Sequence, residues 1–239
     1  MSNISSQGGA GVKFSAVAFD LDGTLYPDSR FFIRLIPFLL WNHRLLWAMG
    51  KARDQLRDFD RDSNGNFETE IEDFYALQAR YMGELLHQEP EKVRKRTERL
   101  IYRGWEPLFK RIKLFPHVRE TLDAFRNEGI KMGLLSDFPP EAKLENLKIG
   151  AYWDAVLSSE LTGHLKPAPA PFLELARRME RKPEEILYVG NNVRYDVKGA
   201  RDVGMKTALI LPGWKKRPSG GFPDFIFHDY RQLRDYVLG

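Results

Sequence analysis

Two aspartates, Asp20 and Asp22, follow an apolar run near the start of the chain with one residue between them. Side chains two positions apart in an extended segment point to the same side, so the spacing predicts that the two carboxylates face one spot. Clustered carboxylates repel each other unless a cation lies between them or one of them holds a proton. Gly23 follows and lets the chain turn. The pair suits acid–base chemistry or cation binding, and a strand–turn with two solvated acids is the plain alternative.

Ser136 and Lys166 lie in two later loops and carry groups that hold a phosphate. Ser136 follows an apolar run and offers a hydroxyl beside free backbone N–H groups. Lys166 precedes Pro167, which stiffens the loop and fixes the direction of the ammonium. A fixed cation beside carboxylates and a phosphate neutralises charge and orients an attack. Taken alone, Ser136 is better explained as a turn cap, and Lys166 is equally well explained as a surface lysine.

Asn191 and Asp196 belong to a polar loop, residues 190–196, that follows a further apolar run. Their side-chain oxygens suit a hard cation, although Asp196 alone is also typical of a helix cap. The conjunction favours chemistry: two acids, a hydroxyl, a lysine and another acid each come after a predicted strand. Open α/β sheets bind ligands beyond the carboxyl ends of their strands.

The elements that must position these residues are short apolar runs of the kind that is buried on both faces of a parallel sheet. They cover residues 14–19, 130–135, 155–157, 186–189, 207–211 and, more weakly, 225–227. Helical spacing of apolar residues occurs between them, at 117–127, 172–179 and 196–203. The alternation predicts an α/β fold, a parallel sheet with helices on both sides.

The alternation of predicted strands and helices is absent from residues 27–112, which contain no clear strand and show helical spacing with many aromatic residues. We interpret them as a helical insertion after the first strand. Within it, residues 31–49 form a hydrophobic stretch that is interrupted by Arg34, Pro37 and Arg44, so a stable membrane insertion is not expected. Burial within the protein is the default interpretation of this stretch, and contact with a membrane surface or a partner subunit is the alternative.

Four motifs, in their combination and order, resemble the haloacid dehalogenase (HAD) superfamily. The motifs are Asp20-Leu21-Asp22-Gly23-Thr24-Leu25-Tyr26, Ser136, Lys166-Pro167-x-Pro169-x-x-Phe172, and Gly190-x-x-x-x-x-Asp196 followed by Gly199-Ala200. The resemblance implies a doubly wound, Rossmann-like core formed by residues 12–26 and 113–239. It also implies that residues 27–112 form a helical cap domain, and residues 1–11 are expected to be a flexible tail.

The resemblance further implies a role for each matching residue. Asp20 is the expected nucleophile, which takes the phosphoryl group as an aspartyl phosphate, and Asp22 is the expected general acid and base. Ser136 and Lys166 are expected to hold the phosphoryl oxygens. Mg²⁺ is the implied cofactor, and its expected ligands are Asp20, the Asp22 carbonyl, Asn191 and Asp196.

Two of these positions bear on the type of reaction. Dehalogenases of the superfamily lack the second aspartate, because a halide needs no proton to leave, so Asp22 favours phosphate ester hydrolysis. Asn191 departs from the family pattern, in which aspartate usually follows the glycine. An amide oxygen brings no charge, so we expect weaker affinity for Mg²⁺.

Composition narrows the class of protein. With 43% hydrophobic residues among 239, the chain can bury a sizeable core, and a disordered chain is excluded. It has no cysteine, which excludes disulfides, thiolate metal sites and cysteine nucleophiles. The net charge of +4 is far from the concentrated basic stripe of a nucleic-acid-binding protein, so no nucleic-acid partner is expected. The polar start of the chain has no secretory signal, which predicts a cytoplasmic protein.

The favoured hypothesis is a magnesium-dependent phosphatase that acts on a small phosphorylated metabolite. A catalytically weakened binding or regulatory protein on the same fold is the alternative that Asn191 supports. Phosphomutase or dehalogenase chemistry is a third possibility. Substrate identity and oligomeric state are not predicted from these residues.

Overall fold

The computed structural model describes residues 14–27, 29–59, 73–211 and 223–239, so the predicted tail 1–11 lies outside the described residues. The strands found within them are β1 Ala16–Phe19, β2 Lys131–Ser136, β3 Ala155–Ser158, β4 Ile186–Gly190, β5 Lys206–Ile210 and β6 Phe225–Phe227. They form one sheet in the order β3-β2-β1-β4-β5-β6, with every pairing parallel. The predicted α/β fold with a parallel sheet is confirmed.

Helices cover both faces of this sheet and also fill the segment between β1 and β2. In the described part of the chain they are α1 Ser29–Phe59, α2 Phe74–Leu86, α3 Pro90–Thr97, α4 Glu106–Phe109, α5 Val118–Asn127, α6 Glu141–Leu147, α7 Pro169–Arg178, α8 Lys198–Asp202 and α9 Tyr230–Leu238. Single π-helical turns occupy Glu98–Tyr102 and Val193–Val197.

The alternation of side chains along β1 explains why the strand is apolar throughout. Val17 and Phe19 belong to the cluster under α5 and α9, whereas Ala16 and Ala18 belong to the cluster under α7 and α8. All four residues are fully buried. A strand that is covered by helices on both faces has no solvent side, so its sequence shows no polar alternation. This central position fixes where the chain emerges at Asp20.

Helices α1 to α4, which we call the inserted helices, leave the sheet and return to it at one place. The backbone N–H of Phe115 donates to the carbonyl of Leu25 at 2.9 Å, so the exit and the return are adjacent. The inserted helices have a hydrophobic cluster of their own, which includes Leu45, Met82 and Val93. These features fit a helical domain inserted after β1, and the limits at residues 27 and 112 remain a prediction.

The aromatic-rich stretch 31–49 lies in α1, whose helical backbone is interrupted at Asn42 (φ −124°, ψ 20°). Leu45 and Met49 are buried, as the default interpretation expects. Leu40 and Trp41 are 72% and 86% exposed, so part of this stretch faces solvent. Among the described helices, none is both long enough and apolar enough to cross a membrane.

The turn that follows β1 is held in place from the far end of the chain. Gly23 adopts a positive φ of 78°, as the sequence predicts for a tight turn. The hydroxyl of Tyr230, at the start of α9, donates to the Thr24 carbonyl at 2.6 Å, and both residues are buried. The Thr24 hydroxyl in turn donates to Oδ2 of Asp20 at 2.7 Å. Helix α9 therefore supports the position of Asp20.

We expect the Tyr230→Phe substitution to lower the free energy of unfolding by about 1–3 kcal/mol, because a buried carbonyl loses its donor. Urea denaturation measures this loss. Tyr152→Phe is the matched control, since its hydroxyl donates to Asp123 at 2.7 Å and water can replace that donor at the 46% exposed carboxylate. Equal losses in the two variants would contradict the proposed support.

Candidate active site

The polar segments singled out in the sequence meet at the carboxyl end of the sheet. Asp20 comes directly after β1, and its backbone N–H still donates to the Val189 carbonyl of β4 at 2.8 Å. Ser136 is the last residue of β2, and Asn191 follows the last residue of β4. Because β1 lies between β2 and β4, the register of the sheet brings these segments side by side.

Lys166 lies at the centre of a buried group of charges. Its Nζ donates to Oδ1 of Asp20 and to Oδ1 of Asp196, each at 2.7 Å. All three residues are at most 5% exposed. A buried charge without a partner costs several kcal/mol, so one ammonium compensates two carboxylates that would otherwise repel each other. The sequence-predicted residues Asp20, Lys166 and Asp196 are therefore in direct contact.

Burial and neighbouring charges act in opposite directions on these groups. Burial raises the pKa of Asp20 to about 7, while the Lys166 ammonium opposes the rise and Asp196 adds to it. Burial alone would lower the pKa of Lys166, but Asp196 and Asp20 raise it well above its ordinary value. The lysine thus stays charged beside a carboxyl whose affinity for a proton is high.

Asp22 has a different environment from Asp20. Its side chain is 33% exposed, and both of its carboxylate oxygens accept from Nζ of Lys143 at 2.7 Å. The Tyr26 hydroxyl also donates to Asp22, and the Ser136 hydroxyl lies 3.5 Å from its Oδ2. Asp20 and Asp22 are separated by one residue, yet Asp20 is buried and Asp22 reaches solvent.

Asp196 is fixed by the backbone as well as by Lys166. Its Oδ2 accepts from the backbone N–H groups of Asn191 and Asn192 at 3.1 and 3.0 Å. A Cβ atom at position 190 would lie 2.6 Å from this oxygen, so only glycine permits the approach. Both oxygens of Asp196 thus have partners within the protein, and its role as a metal ligand stays a prediction.

The following helix begins differently from the sequence expectation. Asn192, for which the sequence suggests no role, caps the π-helical turn Val193–Val197 through its Oδ1, which accepts from Arg194 and Tyr195. Asp196 lies inside that turn and is not the cap. The predicted helix 196–203 is accordingly divided between this turn and α8.

Asn191 lies beside the backbone of Asp22. Its side-chain amide donates to the Asp22 carbonyl at 3.2 Å. Within the described residues, no group of three or more His, Cys, Asp or Glu side chains is arranged for a metal. The Asp20 carboxylate, the Asp22 carbonyl and the Asn191 amide nevertheless supply oxygen donors of the kind that Mg²⁺ prefers. The donor set fits Mg²⁺ and carries less negative charge than it would with aspartate at position 191.

Lys143, which is not predicted from the sequence, is buried in α6 and is paired with Asp22. Its neighbour Leu144 is also buried, so the apolar spacing of α6 gives no sign that a lysine points inward. A buried lysine is rare unless it is paired. Only the tertiary approach of α6 to the β1 turn reveals the contact.

A second missed group joins the inserted helices to the sheet. Arg53 of α1 donates to Glu160, which follows β3, and both side chains are buried. The hydroxyls of Tyr75 and Tyr102 also donate to Glu160, at 3.0 and 2.8 Å. Burial raises the pKa of Glu160, and the Arg53 guanidinium opposes that rise. Three side chains of the inserted segment therefore converge on one carboxylate of the core.

Arg57 makes a similar connection one helical turn after Arg53. It donates to Oδ2 of Asp137 at 2.8 Å and to the backbone carbonyl of Lys166 at 3.0 Å. Burial by itself would raise the pKa of Asp137, but the cations Lys166, Arg57 and Arg53 hold it at about 2. The spacing of the two arginines places them on one face of α1, which is a signal that the sequence does contain.

Residues 14–204 match the family model of the haloacid dehalogenase-like hydrolases. A glyceraldehyde 3-phosphate phosphatase of Methanopyrus kandleri is 29% identical over 232 residues, which cover 93% of this chain and 96% of that protein. A ribulose-1,5-bisphosphate 5-phosphatase of Halopiger xanaduensis is 28% identical, with 83% and 85% of the two chains covered.

Solved structures agree on the fold. A HAD phosphatase from Thermococcus onnurineus superimposes with a TM-score of 0.62 at 23% identity, covering 93% of this chain and 97% of that one. An L-2-haloacid dehalogenase from Xanthobacter autotrophicus gives 0.64 at 17% identity, with 95% and 99% covered. At these identities the likeness concerns the fold alone.

The Glu160→Gln substitution is expected to lower the free energy of unfolding by about 3–5 kcal/mol, because it leaves the buried Arg53 guanidinium without the carboxylate that it is paired with. Tyr75 and Tyr102 donate to different oxygens of Glu160, so glutamine keeps an acceptor for one hydroxyl and presents to the other an N–H that the tyrosine oxygen can accept. Glu174→Gln is the control, since Glu174 pairs with Arg177 at a partly exposed surface and should lose at most about 1 kcal/mol. Urea denaturation compares them, and similar losses would refute a special role for the buried pair.

Proposed function

Because the chain belongs to the haloacid dehalogenase-like hydrolases, we propose that it is a magnesium-dependent phosphatase that hydrolyses a small phosphorylated metabolite through an aspartyl-phosphate intermediate. The observation that carries this proposal is the pair Asp20 and Asp22, in which one carboxylate is buried and the other is partly exposed. Relatives over nearly the whole chain are named as phosphatases of small phosphorylated compounds, which supports the same conclusion.

The two carboxylates take different parts in the reaction because their surroundings differ. A carboxylate oxygen of Asp20 attacks phosphorus, and the bond between phosphorus and the ester oxygen breaks. Asp22 gives its proton to the departing alkoxide, which is a poor leaving group without one. Water then attacks phosphorus and releases inorganic phosphate and the free Asp20 carboxylate, while Asp22 takes the proton of the water.

Ser136 and Lys166 are the residues that hold the phosphoryl oxygens in this proposal. The Lys166 ammonium already lies 2.7 Å from Asp20, so it is next to the attacking group. A fixed cation at this place reduces the repulsion between an anionic nucleophile and an anionic ester. Ser136 is fully buried and lies beside Asp22.

The groups that would hold Mg²⁺ are the Asp20 carboxylate, the Asp22 carbonyl and the Asn191 amide, with Asp196 behind them. When bound, the ion offsets the negative charge of the ester and polarises its phosphoryl oxygens. The inserted helices act as a cap on the core in this proposal, which excludes water and contacts the leaving group. We take the core as residues 12–26 and 113–239 and the cap as residues 27–112.

Asp20→Asn is expected to lower the rate of phosphate release more than about 10³-fold, since an amide is not a nucleophile for phosphorus. The measurement is phosphate release from a generic aryl phosphate with and without Mg²⁺. Asp202→Asn is the control, because that aspartate is exposed and pairs with Lys198 within α8. Asp20→Asn activity near that of wild type would remove Asp20 as the nucleophile.

Asn191→Asp is expected to lower the Mg²⁺ concentration for half-maximal rate on the order of tenfold, because it adds a charged oxygen donor. A Mg²⁺ titration of the rate measures the change, and Asn192→Asp serves as a neighbouring control. An unchanged half-maximal concentration would show that residue 191 is not a ligand. Wild-type protein without Mg²⁺ affinity or turnover would instead support the alternative that Asn191 suggests, a binding protein on this fold.

A further inference from the structure

A cavity of about 870 Å³ opens beside the proposed general acid. It lies between the inserted helices and α6, and both Asp22 and its partner Lys143 line it. This volume is typical of a site for a ligand of drug-like size and far exceeds what a two- or three-carbon alcohol fills. In the proposed reaction, the group bonded to the ester oxygen must lie on the Asp22 side, so the cavity is the place of the leaving group.

The wall of the cavity is aromatic. Its large apolar side chains come from α2, the Glu98–Tyr102 turn, α4 with the residue before it, and the loop before α6: Tyr75, Ile101, Tyr102, Trp105, Phe109 and Phe138. The Phe138 ring packs against Tyr102 and Trp105 with centroid separations of 6.2 and 6.3 Å. These contacts fix the wall before any ligand arrives. Covering the apolar part of a ligand with such a surface lowers the free energy of the complex.

The charges at the cavity are unfavourable for a second anion. Besides Asp22, four carboxylates among the described residues line it: Glu98, Glu106, Glu141 and Glu145. The cations that line it within the same part of the chain are Arg103 and Lys143. Arg103 donates to Glu98 at 2.9 Å, and Lys143 donates to Asp22. Even when Asp22 holds the proton that it gives to the alkoxide, these four glutamates face two cations. A leaving group with its own carboxylate or phosphate would meet negative charge.

We propose that the substrate is a phosphate monoester of a bulky, largely apolar alcohol that carries no second anionic group. This inference rests on the proposed phosphatase function and names the substrate class of that site. The phosphate is held among Lys166, Ser136 and Asp20, and the apolar part lies against the aromatic wall. The exposed glutamates Glu98, Glu106, Glu141 and Glu145, which we call the negative rim, discriminate against phosphorylated acids and bisphosphates.

Ethyl, butyl and hexyl phosphate test the apolar part of the inference, because their leaving groups are equally basic and differ only in length. We expect kcat/KM to rise about fourfold for each added methylene group that the wall covers. The matched anion is 5-carboxypentyl phosphate, whose kcat/KM should be at least about tenfold below that of hexyl phosphate. Equal or higher values for the carboxylate would overturn the inference and leave the phosphatase function standing.

Glu141→Lys tests the charge of the rim. Glu141 is exposed at the start of α6, so the substitution should not disturb folding, and it should raise the kcat/KM ratio of 5-carboxypentyl to hexyl phosphate about tenfold. Glu184→Lys is the control, because Glu184 is exposed in the turn before β4, at the opposite end of the sheet. An unchanged ratio in Glu141→Lys, or the same rise in both variants, would refute the part assigned to the rim.

Binding of hexylphosphonate and 5-carboxypentylphosphonate, measured by calorimetry in the presence of Mg²⁺, distinguishes failure of the phosphatase function from failure of the inferred substrate class. If no ester releases phosphate, the phosphatase function fails, and tighter binding of hexylphosphonate would still support the apolar site. Equal binding of the two phosphonates, or tighter binding of the carboxylate, would overturn the inference whatever the turnover.

Discussion

The contact of Lys166 with Asp20 and Asp196 is the constraint on which the rest of this structure depends. Two carboxylates are buried within one hydrogen bond of the same ammonium, so removing Lys166 would leave two like charges in the interior without the cation that they share. Each member reaches this point from a different part of the chain: the end of β1, the loop after β3 and the turn after β4. The parallel register aligns those ends, and Gly190 lets Asp196 approach the backbone. The sheet is thus organised around a charged centre at one edge.

The inserted helices are attached to this edge through charge as well as through apolar packing. Arg53 and Arg57 enter the core from one face of α1 and contact Glu160, Asp137 and the backbone carbonyl of Lys166. Lys166, the candidate phosphate-binding lysine, is therefore in direct contact with helix α1 of the inserted helices. A shift of α1 changes the surroundings of Lys166, because the same arginine holds both the helix and the loop.

Much of the core and of the candidate site can be predicted from the sequence, because the signals are local. Buried parallel strands read as short apolar runs, and polar residues directly after them, such as Asp20 and Ser136, must lie at the same edge. Lys143, Glu160 and Arg53 could not be placed in this way. Their partners are between 107 and 121 residues away along the chain, and each one looks in its own helix or turn like an ordinary surface charge. Their function arises only from the packing of elements that no local pattern aligns.

The hydrogen bond between Leu25 and Phe115 has a consequence for how this kind of chain can diversify. Because the chain leaves the sheet at Leu25 and returns beside it at Phe115, the sheet can form with different numbers of residues between these two positions. Natural selection can enlarge or trim that module as long as Arg53 and Arg57 keep their contacts with the core. Changes elsewhere in the module alter the walls of the cavity, while Lys166, Asp20 and Asp196 belong to the core beneath it. One ancestral scaffold can in this way give rise to enzymes that share a reaction and differ in the alcohol they release.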